Sequence, residues 1–527
     1  MNITNELQRI SMAKTDLKSA INARGGSITS QRIDAYAAAV ERLPIVIPGG
    51  ATVSNLPLGS GSAALIESGA SAVALTVARG AAVTGEYGGS LVDVSVSPGG
   101  SIELSRPDAA SGDFGVMLAG SETEIAFGTL KWNGSAFAGS VSGGVISDWD
   151  GLYRVCISSG ITVSGVNLNR PYGRFYVYPG AQVLNTSVGT LASAASDAEL
   201  ANIGLLGGSA AGVTVNYGGC LNLFQNGSAE NIHVNSGFLG ISAGPASASC
   251  VSMTAGRIND YGTLTDLTQS GGSCVVFAGG IASSCSIEGG KTVVSSGGVL
   301  KDATVCPGGS AIIMPGATAR EMTVQNGGGV QLSSGASWSG GSLPADGSSS
   351  FTIPAGAVVA DVDFIRSAGD YATVFRGYVS GTLSGGSIAI PEGNGSDFNK
   401  LWFYVNSNGL ARDVTVAEHA RLQPQAGGRI EGGTVVTGGA IYAFSSGSVS
   451  ATTIGSGGKI HLANTTSATG VVISAGGIMV VSSGAKGSSI TVHGSLHVAS
   501  GGSALEVTSM TGAVISAAAG AVITYAE

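Results

Sequence analysis

Three pairs of acidic residues two positions apart, Asp361 and Asp363, Asp148 and Asp150, and Glu122 and Glu124, have a spacing that suits chemistry. On a β-strand, positions i and i+2 share a face roughly 7 Å apart, a separation at which two carboxylates can act as acid and base in glycoside hydrolysis. Asp361 and Asp363 are the better pair, because Arg366, Tyr371 and Arg376 follow closely. Acids at this spacing are also common on solvated strands, and the sequence places no group that would raise one pKa above the other. The expectation is a protein that is not an enzyme, with glycan cleavage through Asp361 and Asp363 as the alternative.

Aromatic residues form a second set. Trp132, Trp149, Tyr153 and Tyr172 gather between about residues 105 and 200, and Tyr371, Phe375, Tyr378, Trp402 and Tyr404 between about 341 and 412. Flat rings of this kind stack on sugars, and they equally fill a widened core. The two stretches look weakly duplicated, Phe175-Tyr176-Val177 matching Phe403-Tyr404-Val405. Metal chemistry has little support. His493 and His497 are four apart, but Gly494 and strand-like neighbours exclude a helical pair. The six cysteines, Cys156, Cys220, Cys250, Cys274, Cys285 and Cys306, form no Cys-x-x-Cys pair and read as small buried thiols rather than bridges. No calcium-binding Gly-Gly-x-Gly-x-Asp repeat, phosphate loop or nucleophile elbow is present, so neither a metal nor a cofactor is expected.

These side chains must be positioned by whatever the glycines build. Of 527 residues 86 are glycine, and paired glycines recur at alternating short and long intervals. The clearest run passes through Gly271-Gly272, Gly279-Gly280, Gly289-Gly290, Gly297-Gly298, Gly308-Gly309, Gly316-Ala317, Gly327-Gly328 and Gly335-Ala336. Between them lie strand-sized apolar runs such as Ala311-Ile312-Ile313-Met314 and Val330-Gln331-Leu332. Two intervals make 18 to 19 residues, and Gly438, Gly457 and Gly476 repeat that spacing. The pattern predicts a mainly β chain, a parallel β-solenoid of about 19-residue coils, each made of a strand, a turn, a strand and a turn. About 25 such coils at roughly 4.8 Å per rung would form a rod on the order of 100 Å long. Disorder is excluded by the regular Val, Ile and Leu and by a 43% hydrophobic content.

Composition narrows the partners. Only 11% of residues are charged and the net charge is −9, so the chain has no basic stripe for nucleic acid. No apolar run of about 18 residues suggests membrane insertion, and no signal peptide opens the chain. Residues 1 to 43 differ from the rest, with ten charges and helical periodicity. Leu7, Ile10, Leu17 and Ile21 form one stripe, with Thr4 as N-cap and Gly25-Gly26 as stop. Ile33, Tyr36, Ala37, Val40 and Leu43 suggest a second helix ending at Pro44. A short α-helical hairpin of this size cannot bury its own core and is expected to serve attachment or oligomerisation.

The opening Asn2-Ile3-Thr4-Asn5-Glu6-Leu7-Gln8-Arg9-Ile10, with Ala13-Lys14-Thr15-Asp16-Leu17-Lys18-Ser19-Ala20-Ile21, resembles the N-terminal segment of phage and prophage tail fibre proteins over roughly the first 45 residues. The glycine-punctuated body, in units such as Ala303-Thr304-Val305-Cys306-Pro307-Gly308-Gly309, is similar to the strand-loop-strand repeats of AIDA-type autotransporter passengers over about half the chain. An autotransporter would need a secretion signal and a C-terminal membrane barrel, and neither is seen here. The resemblance therefore implies a solenoid carried on the tail of a virion or phage-like particle and synthesised in the bacterial cytoplasm. Its implied partners are tail or baseplate proteins at the N-terminus and a host surface glycan or protein receptor, with a homotrimer by analogy to other fibres. A polysaccharide-cleaving tailspike and a bacterial surface adhesin are the competing functions. The organisation read from the sequence is an attachment segment at 1–44, solenoid at 45–105, an aromatic-rich module at 106–200, solenoid at 201–340, a second aromatic-rich module at 341–412 and C-terminal coils at 413–527.

Overall fold

Runs of two to four β-branched or apolar residues between small-residue corners are too short for helices, and their side chains pack well on a pleated surface. The computed structural model describes residues 3–23, 43–86, 90–92, 95–96, 101–104, 117–119, 124–131, 140–146, 153–157, 162–168, 173–189, 201–346, 350–366, 374–391 and 400–527. Among these the only helix is Ile3–Ala23, and the rest of the regular structure is strand. Contacts divide the chain into two compact units, Met1–Ile258 and Asn259–Glu527. Both are wound as parallel β-solenoids.

In the first unit, Ile45–Ile47, Thr52–Ser54 and Pro57–Leu58 make one coil, and Ala63–Ile66, Ser71–Val73 and Thr76–Val77 the next. Ile45 pairs with Ala64, Thr52 with Ser71 and Pro57 with Thr76, all parallel and 19 residues apart. In the second unit, Ser273–Val276, Ile281–Ser283 and Ser286–Ile287 are followed by Lys291–Val294, Val299–Lys301 and Thr304–Val305. Cys274 pairs with Thr292, and Thr292 with Ala311. The four-residue strands of the second unit build one flat sheet, and the two shorter strands of each coil build a bent one.

A coil therefore holds three strands, not the two expected. The additional corner escaped the glycine count because other residues make it. Ser284, Asp302 and Glu321 hold φ of 53°, 49° and 49° in successive coils, as Asn55 and Ala74 do in the first unit. Asn and Asp tolerate this left-handed region better than most residues, so some of these corners carry no glycine. The paired glycines divide two tasks at the other corners. Gly308 takes φ +88°, whereas a Cβ on Gly309 would strike the Ile287 carbonyl of the coil beneath. One glycine supplies backbone conformation and its neighbour supplies close approach.

Alternation along each strand sends Val294, Ile313, Leu300 and Val305 to the interior, where all four are fully buried. Each such side chain contributes roughly 1.5–3 kcal/mol by leaving water. Around residues 338–405 the interior turns aromatic and the coils lengthen. Trp338 meets Phe351 edge-on at 6.0 Å, Phe351 lies 5.7 Å from Phe364, and Phe364 lies 4.7 Å from Phe403. Gly377, in register with Phe403, leaves the space that its ring occupies. Bonds between neighbouring coils here span 24 residues from Asp363 to Ser387 and 26 from Ser380 to Asn406. A figure of 25 coils assumed a uniform length, and these longer coils lower it. Because Phe351, Gly377, Phe403 and Leu422 share one register, the second aromatic-rich stretch is wound in the same ladder as its neighbours.

The helix begins at Ile3, so Thr4 falls inside its first turn rather than at its cap, and it ends two residues before Gly25. Ile21 is buried, whereas Leu17 is 45% and Met12 67% exposed. The expected second helix, with Ile33, Tyr36 and Val40, lies outside the described residues, and the turns carrying Leu7 and Ile10 are described in backbone only. Among the described residues no helix is long and apolar enough to cross a membrane.

Replacing Gly309 by Ala is expected to lower the unfolding free energy by about 2 kcal/mol or more, since backbone of the coil beneath must move. Gly308→Asn, which only needs the left-handed region, should cost well under half of that. Urea unfolding of the two variants, followed by circular dichroism, checks the order.

Candidate functional site

Five successive strands of the flat sheet in the second unit, Phe375–Val379, Leu401–Val405, Arg421–Pro424, Ala440–Ala443 and Lys459–Leu462, carry an unusual outer surface. Phe375, Phe403, Leu422, Ile441 and Ile460 are buried, so strand alternation turns their neighbours outward. One outward column runs Arg376, Trp402, Arg421, Ala440, Lys459, though Ala440 is itself buried. Beside it, Tyr378 pairs with Tyr404, Tyr404 with Gln423, and Tyr442 with His461. Neighbouring rungs lie about 4.8 Å apart, a repeat comparable to the length of one pyranose ring.

The rings are held by one another. Tyr378 and Tyr404 stack at 5.6 Å with 17° between planes, and Trp402 stands across Tyr404 at 5.9 Å. The Arg421 guanidinium carbon lies 3.6 Å from the centre of the Tyr442 ring and 4.9 Å from that of Trp402. Tyr442 stacks on Phe444 at 6.4 Å and meets His461 edge-on at 5.7 Å. His461 Nε2 shares a hydrogen bond of 2.7 Å with Ser482 Oγ, and burial, then Lys459 and Arg421, hold its pKa below the usual imidazole value. Trp402 Nε1 and Arg421 Nε have no hydrogen-bond partner among the described residues. Such a surface offers ring faces and N–H donors together, which is what a sugar with an apolar face and polar edges requires.

Of the aromatic residues singled out in the sequence, Tyr378, Trp402 and Tyr404 meet on this face. Phe375 joins the core, so stacking surface and core filling each describe a different set of rings. Trp132, Trp149, Tyr172 and Tyr371 lie outside the described residues, and only the backbone of Tyr153 is described, in the strand Tyr153–Ile157. Sequence reading missed Arg421, Gln423, Tyr442 and His461. A comb of 19 residues started at Trp402 or Tyr404 passes through all four.

Asp361 and Asp363 do not share a strand. Asp361 occupies the left-handed corner at φ +52°, its carboxylate against Gly385 of the next coil, and Asp363 opens the strand Asp363–Ile365 of the bent sheet. Asp363 Oδ1 accepts a 2.7 Å bond from Ser387 Oγ. Arg366 is buried and donates at 2.6 Å to the Lys400 carbonyl, so it ties together a long coil rather than facing solvent with the acids. Of the other pairs, Asp148, Asp150 and Glu122 lie outside the described residues.

One titratable group sits inside a coil. Asp260 is fully buried, accepts a 3.0 Å bond from the Gly262 N–H, and leaves Oδ2 without a partner among the described residues. Burial raises its pKa to about 7 against the opposing pull of that N–H. Cys274 and Cys285 are buried nearby, and burial pushes the Cys285 thiol up to about 12. Cys220 is also buried, but Cys250 stands exposed at a left-handed corner and Cys306 is half-buried, so burial holds for only part of the set. Among the described residues no three His, Cys, Asp or Glu side chains gather as metal ligands.

No family model and no curated protein matches the chain. Among solved structures, the crystal structure of the TibC-catalyzed hyper-glycosylated TibA fragment is similar, at 18% identity over 90% of this chain and 100% of that one, with a TM-score of 0.25. At so low a score the likeness carries no argument.

The pKa of Asp260 is raised on folding, so the native state favours the protonated carboxyl. Stability from this group is complete below about pH 4 and is lost progressively as pH rises through 7. Asp260→Asn should therefore gain on the order of 2–4 kcal/mol over the parent at pH 8 and little at pH 4. Denaturant titrations at the two pH values check this.

Proposed function

We propose that this chain is a surface-recognition protein of the adhesin kind, a β-solenoid that holds saccharide against the outward strip of Tyr378, Trp402, Tyr404, Arg421 and Tyr442. The observation that carries the reading is the direction of these rings. Each lies one position from a buried core residue, yet the large ring sits on the outer face. Earlier coils of the same sheet place Ser273, Lys291 and Ser310 at corresponding outward positions. A solenoid needs no exposed aromatic ladder for its own stability, whereas a saccharide does need one for stacking. Weak contacts of this type gain strength when several copies act together. The recognition is non-hydrolytic, because the acids best spaced for cleavage serve a corner and an inter-coil hydrogen bond.

A second reading, carriage on a phage or phage-like particle, is favoured by the helix Ile3–Ala23. Its exposed Met12 and Leu17 leave apolar surface for a docking partner or for further copies of the chain. The proposed assembly is a homotrimer attached through this end.

Glycan-array binding followed by calorimetry tests the first reading. Trp402→Ala and Tyr404→Ala should each weaken binding about tenfold or more without altering circular dichroism. An array with no bound saccharide would overturn it, and reducing ends released by the parent but not by Asp361→Asn would make the chain an enzyme. Light scattering of the full chain is expected to give three copies, and Leu17→Asp should lower that number; a monomeric parent removes the trimer.

A further inference from the structure

The strip is positive on a chain that is otherwise acidic. Over five coils the two outward columns hold Arg376, Arg421 and Lys459 and not one Asp or Glu, although the chain as a whole has 33 acids against 24 bases. Among the described residues none of these three cations forms an ion pair. The contrast with the bent sheet of the same coils is direct, since Arg412 lies 3.0 Å and Arg429 3.7 Å from the Glu431 carboxylate. Cations left without counter-charges on one face and neutralised on the other mark a surface complementary to an anion.

Arg421 is placed for this purpose. Its plane is held over Tyr442 and beside Trp402, a cation–π arrangement that fixes the guanidinium before any ligand arrives. A planar fork with fixed orientation matches a carboxylate better than a hydroxyl does, and little side-chain entropy remains to be lost. The unmatched donors Trp402 Nε1 and Arg421 Nε sit at the same spot. We infer that the strip selects acidic polysaccharides, with sugar rings stacked on Tyr378, Trp402 and Tyr404 and carboxylates beside Arg376, Arg421 and Lys459. This inference rests on the saccharide-recognition reading and adds to it the charge of the ligand.

The test uses the full-length protein with polygalacturonate, alginate and hyaluronate, each beside its carboxyl-reduced, uncharged counterpart. The acidic form of at least one should bind about tenfold more tightly than its reduced counterpart, and the difference should shrink as salt rises from low to physiological strength. Arg421→Gln should erase most of the preference, and Arg421→Lys should restore only part of it. Arg376→Gln, at an exposed position, should reduce the preference with no effect on folding and keeps the test decisive should Arg421 variants unfold. Equal or tighter binding of the reduced forms overturns the selection of acidic chains and leaves saccharide recognition standing. Failure of every acidic polysaccharide while neutral glycans bind on the array overturns it likewise. Failure of all glycans, charged and neutral, overturns both readings together.

Discussion

Parallel hydrogen bonding between consecutive coils is the constraint from which the other features of this protein follow. Each strand must find a partner of like direction one coil away, and the rungs hold their spacing near 4.8 Å because backbone amides and carbonyls buried without partners are costly. Corners must then turn within one or two residues, so left-handed conformations are repeated coil after coil. Where a corner also touches the coil beneath, there is no room for a side chain, which is why Gly309 stands against the Ile287 carbonyl. The entropy lost by ordering many glycines is offset by aliphatic columns that exclude water along each unit.

The same ladder disciplines polar groups that enter the interior. Thr292 donates to Gln269 at 2.6 Å, and Gln269 donates to the Gly272 carbonyl at 3.2 Å, so both are satisfied within neighbouring coils. In the first unit Asn235 donates to Asn216 at 3.0 Å, and Asn216 to Ser187 at 2.9 Å, a short column of side-chain bonds running with the backbone ones. Asp260 is the exception, with one oxygen satisfied and the other not, and protonation is the response that its surroundings favour.

Strand parity also governs where recognition chemistry appears. In Trp402-Phe403-Tyr404 the middle ring enters the core and the outer two face solvent. A flat sheet then repeats that choice in register, so that side chains far apart in sequence become neighbours in a column. Arg421 gains its setting from two other coils, Trp402 below it and Tyr442 above. A rigid backbone supports the whole face, and little order remains to be created when a ligand binds.

Glycine pairs at Gly308-Gly309 and their relatives were enough to read a parallel solenoid of about 19-residue coils, because turn chemistry and strand alternation are local and leave their period in the chain. The helical stripe of Leu17 and Ile21 was legible for the same reason. The third corner was not, since Ser284, Asp302 and Asp361 reach positive φ without glycine, and this is what placed Asp361 in a corner instead of on a strand face with Asp363. Nor did the sequence separate Phe403 from Trp402 and Tyr404, because parity is fixed only once a strand's register with its neighbours is known. The charged column of Arg376, Arg421 and Lys459 belongs wholly to the tertiary structure. Coils of unequal length decide which residues, dozens of positions apart, come to rest one rung from each other.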